Sequence, residues 1–321
     1  MKKRTLVTVI PVLEREQMER IAAAAEKRGF EALFFDTEEE ALPALADAEI
    51  IFSQFPSLAG KAPVLRWLCT PFAGVDPFMT PGVFASPEAV LTNSSGAYGV
   101  TISEHVVMLA LEMLRRQPEY QEIVKRREWI RNLPVRSLKN SRITLLGTGD
   151  IGQETAIRLR AFGPACMTGV NRSGKNPENL FDRILRTDGL SSVLPETDIL
   201  IISLPATKDT FHLMNAERLA MLPDGALVIN VGRGCVMDQK ALEKELRAGR
   251  LQAALDVFET EPIPAEDSLW SCPRLLMAPH VAGNMTLPYT KERIVELFLE
   301  DFENYCAGRP LKRKIDPERG Y

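Results

Sequence analysis

Residues 142–172 read RITLLGTGDIGQETAIRLRAFGPACMTGVNR, and this stretch decides the fold of the chain. Its opening apolar run contains β-branched residues and predicts a strand, which breaks at the glycine-rich turn 147–152. Apolar residues then recur at helical spacing up to Gly163, which suits the left-handed end of a helix, and Pro164 prevents continuation. A second strand over about 166–170 completes a strand–helix–strand unit.

The turn has the pattern G-x-G-x-x-G, in which each glycine has a separate physical role. Gly147 permits the tight turn, Gly149 lets the backbone approach a pyrophosphate, and Gly152 allows the helix to pack closely on the strand. The first amides of the helix then face the phosphate charge. In this context the pattern predicts a dinucleotide site of the Rossmann type, which also includes Asp150 and Ile151. A glycine turn of purely structural use is the alternative.

The end of the second strand selects between the two nicotinamide dinucleotides. An NAD site usually carries Asp or Glu about 20 residues after the glycine turn to bind the ribose 2′-hydroxyl, whereas Arg there accommodates a 2′-phosphate. This chain has Asn171-Arg172-Ser173 at that place. No carboxylate repels a phosphate, and Arg172 supplies a permanently charged, planar donor. We therefore expect NADP to be preferred and these three residues to bind it; an exposed loop arginine in a permissive NAD site is the alternative.

Length and composition set broad limits on the function. The chain has 321 residues, of which 45% are hydrophobic and 26% charged, as expected for a globular protein of two domains. A net charge of −4 gives no electrostatic footprint for nucleic acid, and no apolar run approaches the ~18 residues of a membrane span. The five cysteines are scattered, without C-x-x-C, which favours a reducing compartment. We expect a cytoplasmic protein that binds a small molecule, with no nucleic acid, membrane or metal as partner.

Hydrophobic periodicity places further elements on both sides of the glycine turn. The predicted strands cover about 5–10, 32–35, 49–53, 65–70, 199–203, 226–230, 253–257 and 275–278. The predicted helices cover about 14–28, 38–46, 101–116, 216–221, 240–248 and 288–306. The polar residues 119–141 predict a connector.

Strands and helices thus alternate along the chain, which indicates parallel sheets with helices on both faces. We predict the α/β class with two doubly wound domains and a cleft between them. A Rossmann cofactor domain covers 97–285, and a smaller, flavodoxin-like lid that binds substrate covers 1–96 and 286–321. The lid is discontinuous because the last long helix returns to it. Small residues over 93–99 form the first hinge.

The residues that follow the strands are candidate site residues, because ligands bind at the carboxyl ends of the strands in open α/β sheets. The loop 72–75 contains a glycine, and its backbone N–H groups could hold a carboxylate; a simple turn capped by Asp76 is the alternative. Substrate binding is therefore predicted for Phe72, Ala73, Gly74 and Val75. Cofactor binding in the second domain is predicted for Ser203, Leu204, Pro205, Val231, Gly232, Asp256 and Gly283.

Three histidines are available as acid–base groups. His280 follows an apolar strand and a proline, so we expect it to project from a strand end and exchange a proton; a buried core histidine is the alternative. Glu261 is a candidate partner that would orient the imidazole and favour its charged form, in competition with Glu259. We expect His105, in the middle of a helix, to be structural or part of a hinge, and His212 to lie at the surface or behind the site.

Arg233 stands between two glycines at the end of a predicted strand. A guanidinium at such a place can present a fork of N–H donors to a carboxylate and polarise a neighbouring carbonyl. A structural arginine that pairs with a loop acid is the alternative. Spacing alone leaves the roles of Arg233, Glu261 and His280 open.

Several motifs accompany the glycine turn in a fixed order along the chain. They are AGVD at 73–76, SEH at 103–105, GTGDIG at 147–152, NVGRG at 230–234, LDVF at 255–258 with Glu261-Pro262, Pro279-His280, and GRPL at 308–311. Together they resemble the D-isomer-specific 2-hydroxyacid dehydrogenases over nearly the whole chain. Two places depart from the family's common pattern. Asn171-Arg172 stands where the family commonly has an acidic residue, and AGNM at 282–285 is not the commonest sequence after the histidine.

The resemblance implies roles for particular residues. Arg233 would bind the carboxylate and keto oxygen of the substrate, His280 would be the proton donor, and Glu261 would be its partner. Asp256 would lie near the nicotinamide, and the backbone of 73–75 would hold the substrate carboxylate. The resemblance also implies a homodimer formed through the cofactor domain.

The reaction implied by the resemblance is hydride transfer between NADPH and a small 2-oxo acid, with glyoxylate and hydroxypyruvate as first candidates. An alternative from another class is a dinucleotide-sensing interaction protein, like the corepressors that resemble this family. The set of Arg, Glu and His argues for chemistry. A phosphoglycerate dehydrogenase-like enzyme is a second alternative, whereas Glu261 in place of Gln argues against a formate dehydrogenase.

Overall fold

The computed structural model describes residues 4–80 and 82–316. They form two compact units. The first unit contains the described residues up to Tyr98 and from Asn284 onward, and the second contains Gly99–Gly283.

Helices and strands alternate in both units. The described strands are β1 (Arg4–Val9), β2 (Phe30–Phe35), β3 (Ala48–Ser53), β4 (Trp67–Cys69), β5 (Val90–Thr92), β6 (Arg142–Leu146), β7 (Cys166–Asn171), β8 (Arg183–Arg186), β9 (Ile199–Ile202), β10 (Leu227–Asn230), β11 (Gln252–Leu255) and β12 (Leu275–Met277). The described α-helices are α1 (Arg15–Lys27), α2 (Glu38–Ala41), α3 (Gly99–Leu114), α4 (Gln117–Lys125), α5 (Asp150–Arg160), α6 (Leu190–Val193), α7 (Ala216–Met221), α8 (Gln239–Arg247) and α9 (Pro288–Cys306). Among the described residues, no helix combines the length and apolar character that crossing a membrane requires.

The first unit is built on a parallel sheet in the order β2-β1-β3-β4-β5. Successive strand residues point to opposite faces, so both faces of these apolar strands need cover. On one face α9 supplies it: the ring of Phe298 stacks on Phe52 with centroids 4.2 Å apart and on Trp67 at 5.3 Å. This aromatic packing explains why residues near the end of the chain belong to the same unit as its beginning.

The second unit is built on a parallel sheet in the order β12-β11-β10-β9-β6-β7-β8. β6 lies between β7 and β9, so the chain starts in the interior of the sheet, adds β7 and β8 on one side, and then crosses to the other. The carboxyl end of β6 is therefore the topological switch point, where ligands bind in doubly wound sheets. The predicted fold class of two parallel α/β domains is confirmed.

Three local features of the structure differ from the predictions or are missing from them. The helix expected over 38–46 ends at Ala41 and continues as a 3₁₀ helix over Leu42–Asp47, because Pro43 has no N–H for the α-helical pattern. The polar connector 119–141 begins with α4, in which Pro118 lies in the first turn, where its missing N–H is not needed. The short strands β5 and β8 were not predicted; both lie at a sheet edge.

Candidate active site

The glycine turn joins β6 to α5 at the switch point of the seven-stranded sheet. Gly147 has a φ of +106°, and a Cβ there would stand 2.8 Å from Ser203 Oγ. A Cβ at Gly152 would collide with the carbonyl oxygen of Gly147, so the helix starts in direct contact with the turn. At Gly149 no other part of the described chain lies within 4 Å of the Cβ position. Open space therefore adjoins the N-terminus of α5, where a pyrophosphate can bind.

Asn171 organises the loop that follows β7. Its Nδ2 donates to Thr148 Oγ1 at 2.7 Å and to the carbonyl oxygen of Lys175 at 2.9 Å, and its Oδ1 accepts the backbone N–H of Gly174 at 2.6 Å. An ionised aspartate could accept the N–H of Gly174 but could not donate to the other two partners. The loop is thus built around an amide, and it carries the exposed Arg172.

Arg233 is held by the turn that follows β10. Asn230 Oδ1 accepts the N–H of Gly232 at 3.0 Å, and Asn230 Nδ2 donates to the carbonyl oxygen of Arg233 at 3.0 Å. A Cβ at Gly232 would lie 2.6 Å from the carbonyl oxygen of Leu204, so this turn and the loop after β9 are in contact. The guanidinium is partly buried, and one of its nitrogens donates to the carbonyl oxygen of Gly232 at 2.9 Å.

His280 and Glu261 form a hydrogen-bonded pair. His280 Nδ1 lies 2.7 Å from Glu261 Oε2, and Glu261 Oε1 accepts the backbone N–H of Phe258 at 2.7 Å. Because both carboxylate oxygens have partners, the acid is fixed in place and selects the imidazole form with a proton on Nδ1. The imidazole is 48% exposed, so Nε2 is the nitrogen that can meet a substrate oxygen.

Glu259, the competing acid in the sequence analysis, contacts a different histidine. Its Oε1 lies 2.8 Å from His212 Nε2 and also accepts the backbone N–H of Gln239 at 3.1 Å. The structure therefore pairs Glu261, and not Glu259, with His280. His212 is about one-third exposed, in agreement with the expected surface position.

Asp256 lies directly after β11 and is almost completely buried. Its Oδ1 accepts the N–H of Val281 at 2.8 Å, and its Oδ2 accepts the N–H of Ala282 at 3.0 Å. Burial raises the pKa of the Asp256 carboxyl, while the two backbone donors and the nearby His105 and His280 act in the opposite direction. The carboxylate thus lies under the loop that carries His280.

In the first unit, the loop after β4 is anchored through its carbonyl groups. The four bonds join Ser94 Oγ to Thr70 O (2.9 Å), Tyr98 Oη to Pro71 O (2.7 Å), Ser94 N to Phe72 O (2.9 Å) and Asn93 Nδ2 to Ala73 O (2.7 Å). In a trans peptide the N–H points opposite to the C=O. The N–H groups of Ala73 and Gly74 therefore point away from the anchoring segment, which leaves them available to a ligand.

Comparison with known proteins identifies the second unit. Residues 107–282 match the family model for "D-isomer specific 2-hydroxyacid dehydrogenase, NAD binding domain". The chain belongs to this family. The predicted nicotinamide dinucleotide site is thereby confirmed, and this 2-hydroxyacid dehydrogenase is an oxidoreductase that acts on CH–OH groups.

Individual relatives agree with the family assignment. Glyoxylate/hydroxypyruvate reductase A of Salmonella newport (strain SL254) is 32% identical over 226 residues, which cover 70% of this chain and 70% of that protein. A crystal structure of a D-isomer specific 2-hydroxyacid dehydrogenase family protein from Aeromonas salmonicida is 33% identical, with a TM-score of 0.86 over 98% of this chain and 100% of that one. An NADPH-dependent glyoxylate/hydroxypyruvate reductase from Sinorhizobium meliloti, solved with NADP and sulfate, is 28% identical with a TM-score of 0.82, over 99% and 100% of the two chains.

The candidate site of this dehydrogenase is distributed over six strand ends of the second unit. They carry Gly147, Gly149, Asp150, Ile151 and Gly152 after β6; Asn171, Arg172 and Ser173 after β7; Ser203, Leu204 and Pro205 after β9; Val231, Gly232 and Arg233 after β10; Asp256 and Glu261 after β11; and His280 and Gly283 after β12. Direct contacts join several of these groups, as described above. Phe72, Ala73, Gly74 and Val75 belong to the first unit, and their role in substrate binding stays a prediction.

Three residues of this region were not recognised from sequence. Thr148, inside the glycine pattern, anchors Asn171, and Asn230 shapes the turn that carries Arg233. His105, expected to be structural or part of a hinge, lies with Nε2 3.8 Å from Asp256 Oδ1. All three lie in motifs that the sequence analysis quotes, but the roles of Thr148 and Asn230 depend on side-chain geometry that spacing does not encode.

Proposed function

We propose that this dehydrogenase is an NADPH-dependent reductase of small 2-oxo acids, with glyoxylate and hydroxypyruvate as the first substrates to test. The observation that carries the proposal is the His280–Glu261 pair. This pair lies at the carboxyl ends of the strands of the sheet, as do the glycine turn and Arg233. The names of the Salmonella and Sinorhizobium relatives support the substrate class. The second unit is the cofactor domain in this proposal, and the first unit is the substrate-binding lid.

The residues of the second unit fit a bound NADP. The open backbone at Gly149 and the N-terminus of α5 suit the pyrophosphate. The loop around Asn171 suits the 2′-phosphate, because it presents Arg172 and contains no carboxylate at the position that would bind a 2′-hydroxyl. The Sinorhizobium relative was solved with NADP, in support of this choice. When bound, the reduced nicotinamide supplies a hydride to the carbonyl carbon of the substrate.

Arg233 is the substrate-binding residue of the second unit in this proposal. The guanidinium fork of Arg233 binds the carboxylate and the keto oxygen, and it offsets the negative charge that grows on that oxygen during reduction. The N–H groups of Ala73 and Gly74 supply further donors to the carboxylate. A small 2-oxo acid offers these acceptor oxygens on adjacent carbons, which is the chemical reason for the substrate class.

His280 donates the proton to the keto oxygen. Glu261 holds Nδ1, so the proton that leaves is the one on Nε2, and the negative carboxylate stabilises the imidazolium before transfer. A positioned general acid contributes about 10²- to 10⁴-fold to the rate. In the oxidative direction the same nitrogen accepts the proton of the hydroxyl group.

We expect His280→Ala to lower kcat by about 10²- to 10⁴-fold and Arg233→Ala by about 10²- to 10³-fold, each with NADPH binding retained. Turnover is measured by NADPH absorbance with a panel of 2-oxo acids, and cofactor binding by NADPH fluorescence. His212→Ala is the matched control, since it removes another histidine that is bonded to a glutamate in the same unit; its kcat should stay near that of the wild type.

Two results would contradict the proposal in different ways. Near-normal kcat in His280→Ala or Arg233→Ala would remove the assigned role of that residue. A wild-type protein that binds NADPH but oxidises it with no 2-oxo acid would instead favour the dinucleotide-sensing alternative.

We also propose that the protein forms a homodimer through the second unit. The segment after α4 is anchored to its own unit, since Tyr120 Oη donates to the carbonyl oxygen of Arg131 at 3.1 Å and accepts the N–H of Leu133 at 3.2 Å. Yet it presents Trp129 with 87% of its surface exposed, next to the exposed Ile130. An ordered segment with large exposed apolar side chains suits an interface, and the family resemblance indicates a second copy as the partner.

A further inference from the structure

Three consecutive backbone N–H groups in the loop of His280 are bonded to one residue, Asp256. The N–H of His280 donates to the Asp256 carbonyl oxygen at 2.9 Å. The N–H groups of Val281 and Ala282 donate to the two carboxylate oxygens at 2.8 and 3.0 Å. The main chain and the side chain of one buried residue therefore fix the course of the loop on which the proposed proton donor lies.

The backbone of His280 needs such a restraint. Its φ is +54°, in the left-handed region that is uncommon for residues other than glycine, although histidine adopts it more often than most. Such a conformation is unfavourable and persists only when the surroundings over-determine it. The hydrogen bonds to Asp256 supply that restraint directly on both sides of the strained residue.

His105 on α3 lies close enough to stabilise the negative charge of this buried carboxylate. Its Nε2 lies 3.8 Å from Asp256 Oδ1, and it is buried without a hydrogen-bond partner among the described residues. Within the described part of the chain, His280 is the other titratable group that acts on Asp256; Glu104, next to His105 on α3, is two-thirds exposed and faces Arg158. A buried ionised carboxylate requires a positive partner or donors, and His105 supplies the first when it is protonated.

We propose that Asp256 and His105 form a positioning pair for the proton donor: the Asp256 carboxylate fixes the left-handed backbone of His280, and the neighbouring His105 stabilises that carboxylate. A protonated Asp256 would carry an O–H on one oxygen and could no longer accept both N–H groups well. The role of His280 as proton donor rests on the proposed function, whereas the restraint on its backbone does not. The two are therefore tested by different measurements.

Amide hydrogen exchange of the loop tests the restraint without any turnover. In Asp256→Asn we expect the amides of Val281 and Ala282 to lose protection, because the neutral amide presents one N–H₂ group where a carboxylate oxygen accepted a hydrogen bond. His105→Ala should lower the same protection to a smaller extent, and His105→Gln, which keeps a donor without a charge, should fall between His105→Ala and the wild type. In the wild type, protection of these amides should fall as the pH is lowered and Asp256 becomes protonated, at a higher pH than for an ordinary aspartate because its pKa is raised.

Kinetics supply the second readout. A displaced His280 should lower kcat on the order of 10²-fold in Asp256→Asn, because misplacement of about 1 Å costs that much. Asp198→Asn is the matched control: Asp198 accepts the N–H of Arg142 at 2.8 Å at the amino-terminal edge of the same sheet. It should leave both kcat and the protection of residues 280–282 unchanged.

Each outcome decides the proposal. Unchanged protection of Val281 and Ala282 in Asp256→Asn would overturn it, even if kcat falls, since Asp256 would then act by another route. If Asp256→Asn does not fold, His105→Ala decides, and full protection there would overturn the role of His105. A wild-type protein that reduces no 2-oxo acid would end the proposed function, while the exchange experiment would still report on the restraint.

Discussion

At Asn171, a side-chain nitrogen in place of a carboxylate oxygen can distinguish NADP from NAD. The side chain at this place must satisfy Thr148 Oγ1 and the carbonyl of Lys175, both of which accept hydrogen bonds from Nδ2. The carbonyl of Lys175 can only accept, so this contact requires the amide and excludes an ionised carboxylate. The absence of a negative charge is also what a 2′-phosphate needs. The structure of the loop and its proposed selectivity for NADP therefore have the same chemical cause.

We expect Asn171→Asp to lower the ratio of kcat/KM for NADPH to kcat/KM for NADH by roughly 10- to 100-fold. The new carboxylate would repel the 2′-phosphate and disturb a loop held by its amide, and interactions of charged groups of this kind are worth about 1.5–3 kcal/mol. Arg172→Ala should change the ratio in the same direction. The control is Arg183→Ala on β8, which removes a surface ion pair with Glu196; equal ratios in all four proteins would contradict the assignment.

At the scale of elements, α9 completes the first unit by holding the segment that follows it. Glu300 on α9 pairs with Lys312 at 2.5 Å and with Arg313 at 2.6 Å, and the buried Asp301 accepts the N–H of Lys312 at 2.7 Å. These two bases lower the pKa of Glu300 from 4.5 to about 2. The helix thus holds the segment that follows it by ion pairs. Its aromatic side chains stack on the sheet.

We expect Glu300→Gln to reduce the free energy of unfolding at pH 7 by less than about 1 kcal/mol, because the pair is largely solvated. A carboxyl with a lowered pKa in the folded state stabilises that state above its ordinary value of 4.5, and the contribution is lost as the pH falls toward about 2. The unfolding curves of wild type and variant in urea should therefore converge as the pH falls from 4.5 to about 2. A difference that does not change with pH would show that Glu300 acts by packing and not by charge.

Elements with long periodic patterns could be predicted, and those shaped by their neighbours could not. α9 and α7 have the predicted bounds of 288–306 and 216–221, because their apolar residues recur over several turns or follow a clear cap. β8 reads RILR and lies at the edge of its sheet, so half of its residues are charged and the apolar signal is lost. The choice between Glu259 and Glu261 likewise depended on which carboxylate the backbone of Phe258 holds, and sequence distance carries no such information.

At the scale of the whole molecule, the order of strands explains why a site can be assembled from residues far apart in the sequence. β6 lies in the interior of its sheet, with β7 on one side and β9 on the other, and every strand in this sheet is parallel to its neighbours. The carboxyl ends of all its strands therefore lie at the same end of the sheet. Motifs spread from residue 147 to residue 283 lie at that end because each one follows a strand.

The proposed dimer can be tested by changing Trp129. We expect the wild type to sediment as two chains and Trp129→Glu to sediment as one, because a buried indole at an interface contributes about 2 kcal/mol or more and a charge placed there must lose its water. That loss corresponds to at least about a 30-fold weaker dimer. Trp270→Glu is the matched control, since Trp270 is also an exposed tryptophan of the second unit, at 57%, and the proposal gives it no part in the interface. A monomeric wild type would contradict the proposed homodimer. A Trp129→Glu protein that stays dimeric at low micromolar concentration would contradict the proposed interface at Trp129.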